Sequence, residues 1–425
     1  MNLHISNARI IDPGSHRDAP GSIYTSGGQI VALDTPPPDF ISERKFDASG
    51  LIACPGLIDV CARLREPGNE HKATIASETR AAARGGITTL CCPPDTNPVI
   101  DEPATVELIH RRAEDSGLTT IVPLGALTQG LRGEMLAEMG RLKNAGCVGV
   151  SNAWQAISDT RVIRRAFEYA ATHDLAVFIQ AHDAWLGRNG CANEGPVATR
   201  LGLPGVPVAA ETVALAQMLE LVATTGVRAH FSQLSAARSL ELMKAAHGSG
   251  LNVTADVSMS HLHLSENDLL GFNSLCHVRP PLRSLRDRDA LRAALREGVL
   301  SAVCSDHQPH EPDAKLAPFP ATEPGISGLD TLLSLALKLV RENALTLPRV
   351  LEALTSGPAQ VLGIQRGSLS VGSRADICLF DTEVEWEVSE KSMLSAGHNT
   401  PFFGWSLPGR VRAVLIAGHL HEFSP

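Results

Sequence analysis

The chain has 425 residues, a formal net charge of −9 and no cluster of lysine and arginine, so it carries no electrostatic footprint for nucleic acid or an anionic membrane. Its length suits one large α/β domain of barrel size, about 250 residues, plus an appendage. Neither a nucleic acid nor a membrane is expected as a partner.

The N-terminal stretch MNLHISNARIIDPG has no basic n-region and no apolar h-region, and no later run is long and apolar enough to span a bilayer. A cytoplasmic protein is expected. Residues 1–54 hold the short strand candidates ISNARIID and GGQIVAL. From there the chain alternates between β-prone runs and amphipathic helical stretches, the pattern of βα units around a parallel sheet. The predicted strands are LIDVCARL (57–64), ITTLCCPP (87–94), TTIVPLGALT (119–128), GCVGVSNA (146–153), LAVFIQAH (175–182), RAHFSQLS (228–235), LNVTADVSMS (251–260) and LSAVCSDHQ (300–308). Between them lie helical patterns such as KATIASETRAAARGG, ETVALAQMLELVATTG and RDALRAALREG, each closed by a glycine. The count predicts a (β/α)8 barrel over 55–364, with an open eight-stranded sheet as the alternative. Residues 365–425 return to short strands, ADICLFD and RVRAVLIAG. Since isolated short strands bury no face alone, the two ends are expected to pair into one small β-domain. The nine cysteines are scattered without a CxxC; the adjacent Cys91 and Cys92 in an apolar run are expected to be buried free thiols, and no disulfides are expected.

In such a barrel, chemistry sits at the C-terminal ends of the strands. The polar residues there are Cys61, Arg63 and Arg65 after the first strand, Asn97 after the second and Asn152 after the fourth. His182 follows the fifth, Gln233 the sixth, and Asp306, His307 and His310 the eighth. Positions 61 and 63 lie two apart on a strand, so their side chains point the same way. A thiolate at Cys61 would suit zinc, but Arg63 has no lone pair and repels the ion. Cys61, His182 and Asp306 together would reach the three ligands zinc catalysis requires, though only beside a permanent cation. Asp306 at the end of a buried strand needs a partner, and Arg63 is the expected one. A lone histidine at a strand end is more often a structural residue than a ligand, and His182 shares that alternative. His230, His261, His263 and His277 are expected to be surface or structural residues.

The segments FDASGLIACPGLIDV, LREPG, DTNPVID, VRPPLR, SDHQPH, PGISGLDTLL, GSLSVGSRADICLFD and NTPFFG resemble the dihydroorotases of the amidohydrolase superfamily over essentially the whole chain. The resemblance implies a (β/α)8 TIM barrel with a small β-sandwich formed from 1–54 and 365–425. It implies that Arg65, Asn97 and His310 are remnants of a substrate pocket, and that Asp306 matches the residue that shuttles a proton when metal-bound hydroxide attacks the ring amide. The departures fall on the metal set: Cys61 and Arg63 replace the family's HxH, Ser151, Asn152 and Ala153 stand in the segment of its bridging residue, and Gln233 replaces a histidine. Arg279 replaces a substrate-binding asparagine, leaving His182 and Asp306 as vestiges of the metal set. The pattern resembles the degenerate dihydroorotases that serve as non-catalytic subunits of bacterial aspartate carbamoyltransferase in pyrimidine biosynthesis. That likeness implies a pseudoenzyme without cofactor, self-association, and a hetero-oligomer, a dodecamer, with the catalytic chain of that enzyme. An active cyclic amidohydrolase with a reshaped single-zinc site is the alternative.

Overall fold

The computed structural model describes residues 1–423. All eight predicted barrel strands are present, each shorter than its apolar run: β1 (Leu57–Asp59), β2 (Ile87–Cys92), β3 (Thr120–Ala126), β4 (Gly149–Ser151), β5 (Ala176–Gln180), β6 (Ala229–Ser232), β7 (Val253–Ser258) and β8 (Ala302–Cys304). They pair in chain order and every ladder is parallel. A parallel bridge between Ala62 and His307 joins the first strand's extension to the last, and Arg63 N–H donates to His307 O at 2.9 Å. The sheet therefore curls back on itself, which removes the open-sheet alternative.

The barrel interior is filled by side chains from alternate strand positions, among them Ile58, Cys91, Leu124, Phe178 and Cys304, as the two-residue period requires. Helices cover the outside. α1 (Ile75–Arg84) starts on a capping box between Thr74 and Ser77, and α2 (Thr160–Thr172) and α3 (Ala209–Thr225) follow β4 and β5. Gly226, in the left-handed region at φ 69°, ends α3.

Strands from both chain ends share one eight-stranded mixed sheet. Ile52–Pro55 lies antiparallel to Ile377–Glu387 and parallel to Leu3–Asp12, so the N- and C-terminal segments meet in its centre. Leu3, Ile5, Ile10, Ile23, Ile377 and Leu415 form a separate core for this sheet. Gly56 joins Ile52–Pro55 to β1, where a Cβ would lie 2.2 Å from Thr88 Oγ1. Only glycine lets the two sheets meet so closely. All nine cysteines are buried and free. Among the described residues no helix is long and apolar enough to cross a membrane.

Candidate functional site

β1 ends at Asp59, whose Oδ1 accepts from Cys61 N–H at 3.2 Å and from Ser305 N–H at 3.0 Å, with the Ser305 hydroxyl on Oδ2. This carboxylate ties the first strand to the last and releases the chain into the mouth of the barrel. Cys61 and Arg63 follow, both facing the axis, with Arg63 Nη1 3.9 Å from Cys61 Sγ. Four non-glycine residues at the mouth hold a left-handed backbone: Arg65 (φ 64°), Ala153 (φ 47°), Gln233 (φ 52°) and Asp306 (φ 46°). Such strain persists only where surrounding structure imposes it, and it clusters at functional sites.

Arg63 is the centre of the cluster, with a side chain only 7 % exposed. Its Nε donates to Asp95 Oδ2 at 2.8 Å, and Nη1 lies 3.5 Å from Asp306 Oδ1. Burial works against its charge, but the carboxylates of Asp95 and Asp306 outweigh it and raise the pKa above the ordinary arginine value. Nη2 has no partner. Burial pushes the Asp306 carboxyl up to about 7, against the pull of Arg63 and a 3.2 Å hydrogen bond from Gln308 Nε2. Burial likewise lifts the Cys61 thiol well above its usual value, so the sulfur is a protonated donor toward Asp306 at 3.8 Å and no thiolate.

The zinc of the alternative reading does not fit these residues. Cys61 and Asp306 lie together, but a fixed guanidinium is 3.5 Å from the Asp306 carboxylate and 3.9 Å from the Cys61 sulfur. Among the described residues no three His, Cys, Asp or Glu side chains converge so as to hold a metal ion, so His182 does not complete the set. It packs edge-on against Trp154 at 5.8 Å between ring centroids and makes no hydrogen bond within the described residues. Burial, then the Arg279 charge, lowers its pKa.

The remaining positions are occupied with local work. Asn152 Oδ1 accepts from Thr128 Oγ1 at 2.6 Å, and its Nδ2 donates to Gln155 O at 2.7 Å, which spends its amide on the loops around it. Gln233 is buried; its backbone N–H donates to Asp256 Oδ1 at 2.8 Å, and its Oε1 has no hydrogen-bond partner among the described residues. His307 faces away from the mouth. Its Nδ1 accepts from Gly328 N–H at 3.1 Å and its Nε2 meets Glu78 Oε2 of α1 at 2.8 Å. Glu78 also accepts from Ser395 Oγ at 2.7 Å and Ala396 N–H at 3.0 Å, fastening the C-terminal segment to the barrel.

Two of the three expected pocket remnants come together and the third does not. Arg65 Nη2 lies 3.0 Å from His310 Nε2, and Arg65 Nε donates to Pro309 O at 3.0 Å. Lys72 Nζ is 3.2 Å from the other ring nitrogen. Burial, then the charges of Arg65 and Lys72, pushes His310 down to about 3, and a neutral ring has a single acceptor nitrogen for these two cations. Asn97 is a correction: its side chain is exposed at the loop tip, and its contribution is a backbone N–H to Pro67 O at 3.1 Å. The residue of that loop which faces the site is Asp95. A carboxylate three residues past a barrel strand, behind Pro93 and Pro94, was the signal for it in the sequence.

The four histidines expected to be surface or structural are all buried. His230 bonds Asp256 Oδ2 at 2.7 Å, His261 meets Ser258 Oγ at 2.6 Å, His263 meets Leu335 O at 3.0 Å and His277 meets Thr322 Oγ1 at 2.8 Å.

A family model described as dihydro-orotase-like matches residues 50–239. The chain is 51 % identical over 423 residues to the dihydroorotase-like protein of Pseudomonas aeruginosa, covering 99 % of this chain and 100 % of that one. It is 39 % identical over 420 residues to a dihydroorotase of Syntrophotalea carbinolica, covering 99 % of each. Among solved structures, the L-hydantoinase (dihydropyrimidinase) of Arthrobacter aurescens superposes with a TM-score of 0.88 at 22 % identity, over 99 % of this chain and 95 % of that one.

Proposed function

The chain belongs to the dihydroorotase-like family, and from that premise we propose that it is a non-catalytic member, a structural subunit of aspartate carbamoyltransferase in pyrimidine biosynthesis. The observation that carries the loss of catalysis is Arg63, 2.8 Å from Asp95 and 3.5 Å from Asp306. Metal-dependent hydrolysis needs a bound hydroxide and a Lewis acid at one ion. Here the mouth of the barrel holds a permanent cation, a neutral thiol and a carboxyl already engaged by the guanidinium. The strained strand ends and the tightly packed barrel are retained beside that changed site, which supports a role for the folded body rather than for its chemistry. The partner is what the family likeness implies.

Elemental analysis together with an assay on dihydroorotate tests the first half. Less than about a tenth of an equivalent of zinc and no turnover are expected for a site with so few transition-metal ligands; a stoichiometric ion with measurable hydrolysis would overturn it. Co-expression with an aspartate carbamoyltransferase chain followed by size-exclusion chromatography tests the second half. Co-elution as one large species is expected, and separate elution at micromolar concentration would count against the partner.

A second reading, an active cyclic amidohydrolase on a reshaped site, draws support from Asp306, whose carboxyl at about 7 suits proton transfer near neutrality. Relatives named dihydroorotase, such as that of Syntrophotalea carbinolica, point the same way. The assay on dihydroorotate separates the two.

A further inference from the structure

A barrel strand turns alternate side chains to the two sides of its sheet. In β5, Ala176 and Phe178 join the barrel interior, whereas Val177 and Ile179 join the core beneath the helices. Between this outer face of β5 and the helices α2 and α3 lies a cavity of about 180 Å³. Val177 and Ile179 of β5, Ile163 and Phe167 of α2, and Ala214 and Met218 of α3 line it, and all but Met218 are buried. A protein interior normally closes such a space, leaving few voids larger than a water molecule. Here Ala214 and, on the loops after β4 and β5, Ala153, Ala156 and Ala184 all present a single methyl group, too short to fill it.

The lining is almost free of charge. Among the described residues no lysine, arginine or glutamate contributes to it. Its one carboxylate, Asp183, is engaged, because Oδ1 accepts from the backbone N–H groups of Trp185 at 2.9 Å and Leu186 at 2.8 Å. The remaining polar groups are neutral: the exposed Gln155, Ser158 and Gln217 line the solvent side. Trp185, 74 % exposed, stands there too, a large ring left in water beside an unfilled apolar space. Asn152 and His182 also contribute, but Cys61, Arg63, Gln233 and Asp306 do not, so the cavity lies outside the ring of strands and apart from the cluster around Arg63.

We propose that this cavity binds a small uncharged ring compound, of one or two fused rings with an N–H or O–H group at one edge. An apolar cavity of about 150 Å³ takes up benzene, and this one is somewhat larger. The buried aliphatic and aromatic side chains receive the ring, and the amide and hydroxyl groups on the solvent side meet its polar edge, the usual division of labour in a small-molecule site. A charged ligand would lose its hydration without gaining a partner, which disfavours it. The site depends on packing between β5 and its helices and not on whether the chain is catalytic, so it goes beyond the function proposed above and stands or falls separately from it.

Calorimetric titration of the full chain with indole, and with indole-3-carboxylate as the charged comparator, tests this. One saturable site per chain with a Kd of about 1 mM or tighter is expected for indole, and binding at least about tenfold weaker for the carboxylate. Ala214→Leu fills part of the cavity from α3 and should weaken indole binding by at least about tenfold. Ala156→Leu does the same from an exposed loop and carries the test if the first variant fails to fold. Melting temperatures at or above that of the unsubstituted chain show that the fold is kept, since filling a cavity stabilises. Absence of saturable binding of indole at about 10 mM, where a site with a Kd of about 1 mM would fill, overturns the proposal. So does indole binding that neither folded variant weakens, or equal binding of the carboxylate.

Discussion

Arg63 Nε donates to Asp95 Oδ2 at 2.8 Å, joining a residue just past β1 to one just past β2 across the mouth of a closed barrel. The same guanidinium lies 3.5 Å from Asp306, just past β8. One fixed cation thus bridges three strand ends, at a place where the family expectation put divalent-metal ligands.

Removing that cation leaves buried carboxylates without compensation. Arg63→Met should destabilise the protein by about 3–5 kcal/mol, the usual cost of breaking a buried pair by deleting one partner. Denaturant unfolding measures it. A change within about 0.5 kcal/mol, the range of an ordinary surface substitution, would show that Arg63 is not a counter-ion.

Restoring one ligand should not restore the site. In Arg63→His the Cys61 thiol is still buried and held neutral, His182 still stands apart, and Gln233 still offers only an amide. Zinc analysis of the purified variant should find well under one equivalent, and turnover of dihydroorotate should be undetectable, because about three suitable ligands are needed. Activity in this single variant would mean that far less was lost than the geometry implies.

Glu78 fixes the loop after β8 and the C-terminal segment together through His307, Ser395 and Ala396. Its side chain and that of His307 are both fully buried. Glu78→Ala strands these donors, and a loss of about 3–5 kcal/mol is expected. Limited proteolysis of the variant should cut first near residues 394–397, and unchanged stability with unchanged cleavage would contradict the role given to Glu78.

Stability should fall as the pH drops from about 6.5 to about 4. Burial lowers His261, His263 and His277 each to about 4 and His310 to about 3. In this window the unfolded chain binds protons at these sites and the folded one does not, which draws the equilibrium toward unfolding. Asp59 and Asp306 act in the opposite direction. With folded values raised to about 6 and about 7, they bind protons in the folded state first, so their contribution is greatest at low pH and is lost as the pH rises through those values. Four histidines outweigh two carboxyls, so melting temperatures recorded at pH 7.5, 6 and 5 should decline. A rise on acidification would show that the carboxyls dominate.

The run of strands was legible because it depends on local properties. Eight β-prone segments separated by helical ones imply a barrel, and the two-residue period alone places Cys61 and Arg63 on one face. Burial of Cys91 and Cys92 followed from their apolar run, and the structure buries the other seven thiols as well. The identity of Arg63's closest partner did not follow. Asp95 and Asn97 sit in the same loop, two residues apart, and only the path of the chain between β2 and its helix turns Asp95 inward and leaves Asn97 in solvent.

The same division explains His182 and the histidine group. Whether His182 stands beside Asp306 or apart from it, and whether His230 meets water or Asp256, depends on how loops from different strands approach once the barrel has closed. The amino-acid sequence by itself determined the element order, the count of eight barrel strands and the chemical poverty of the former ligand positions, since these rest on side-chain identity and on periods of two and 3.6 residues. Tertiary structure decided that the sheet closes and that Asp95 is the nearest partner of Arg63, for a pairing between distant loops is set by packing, and packing has no local code.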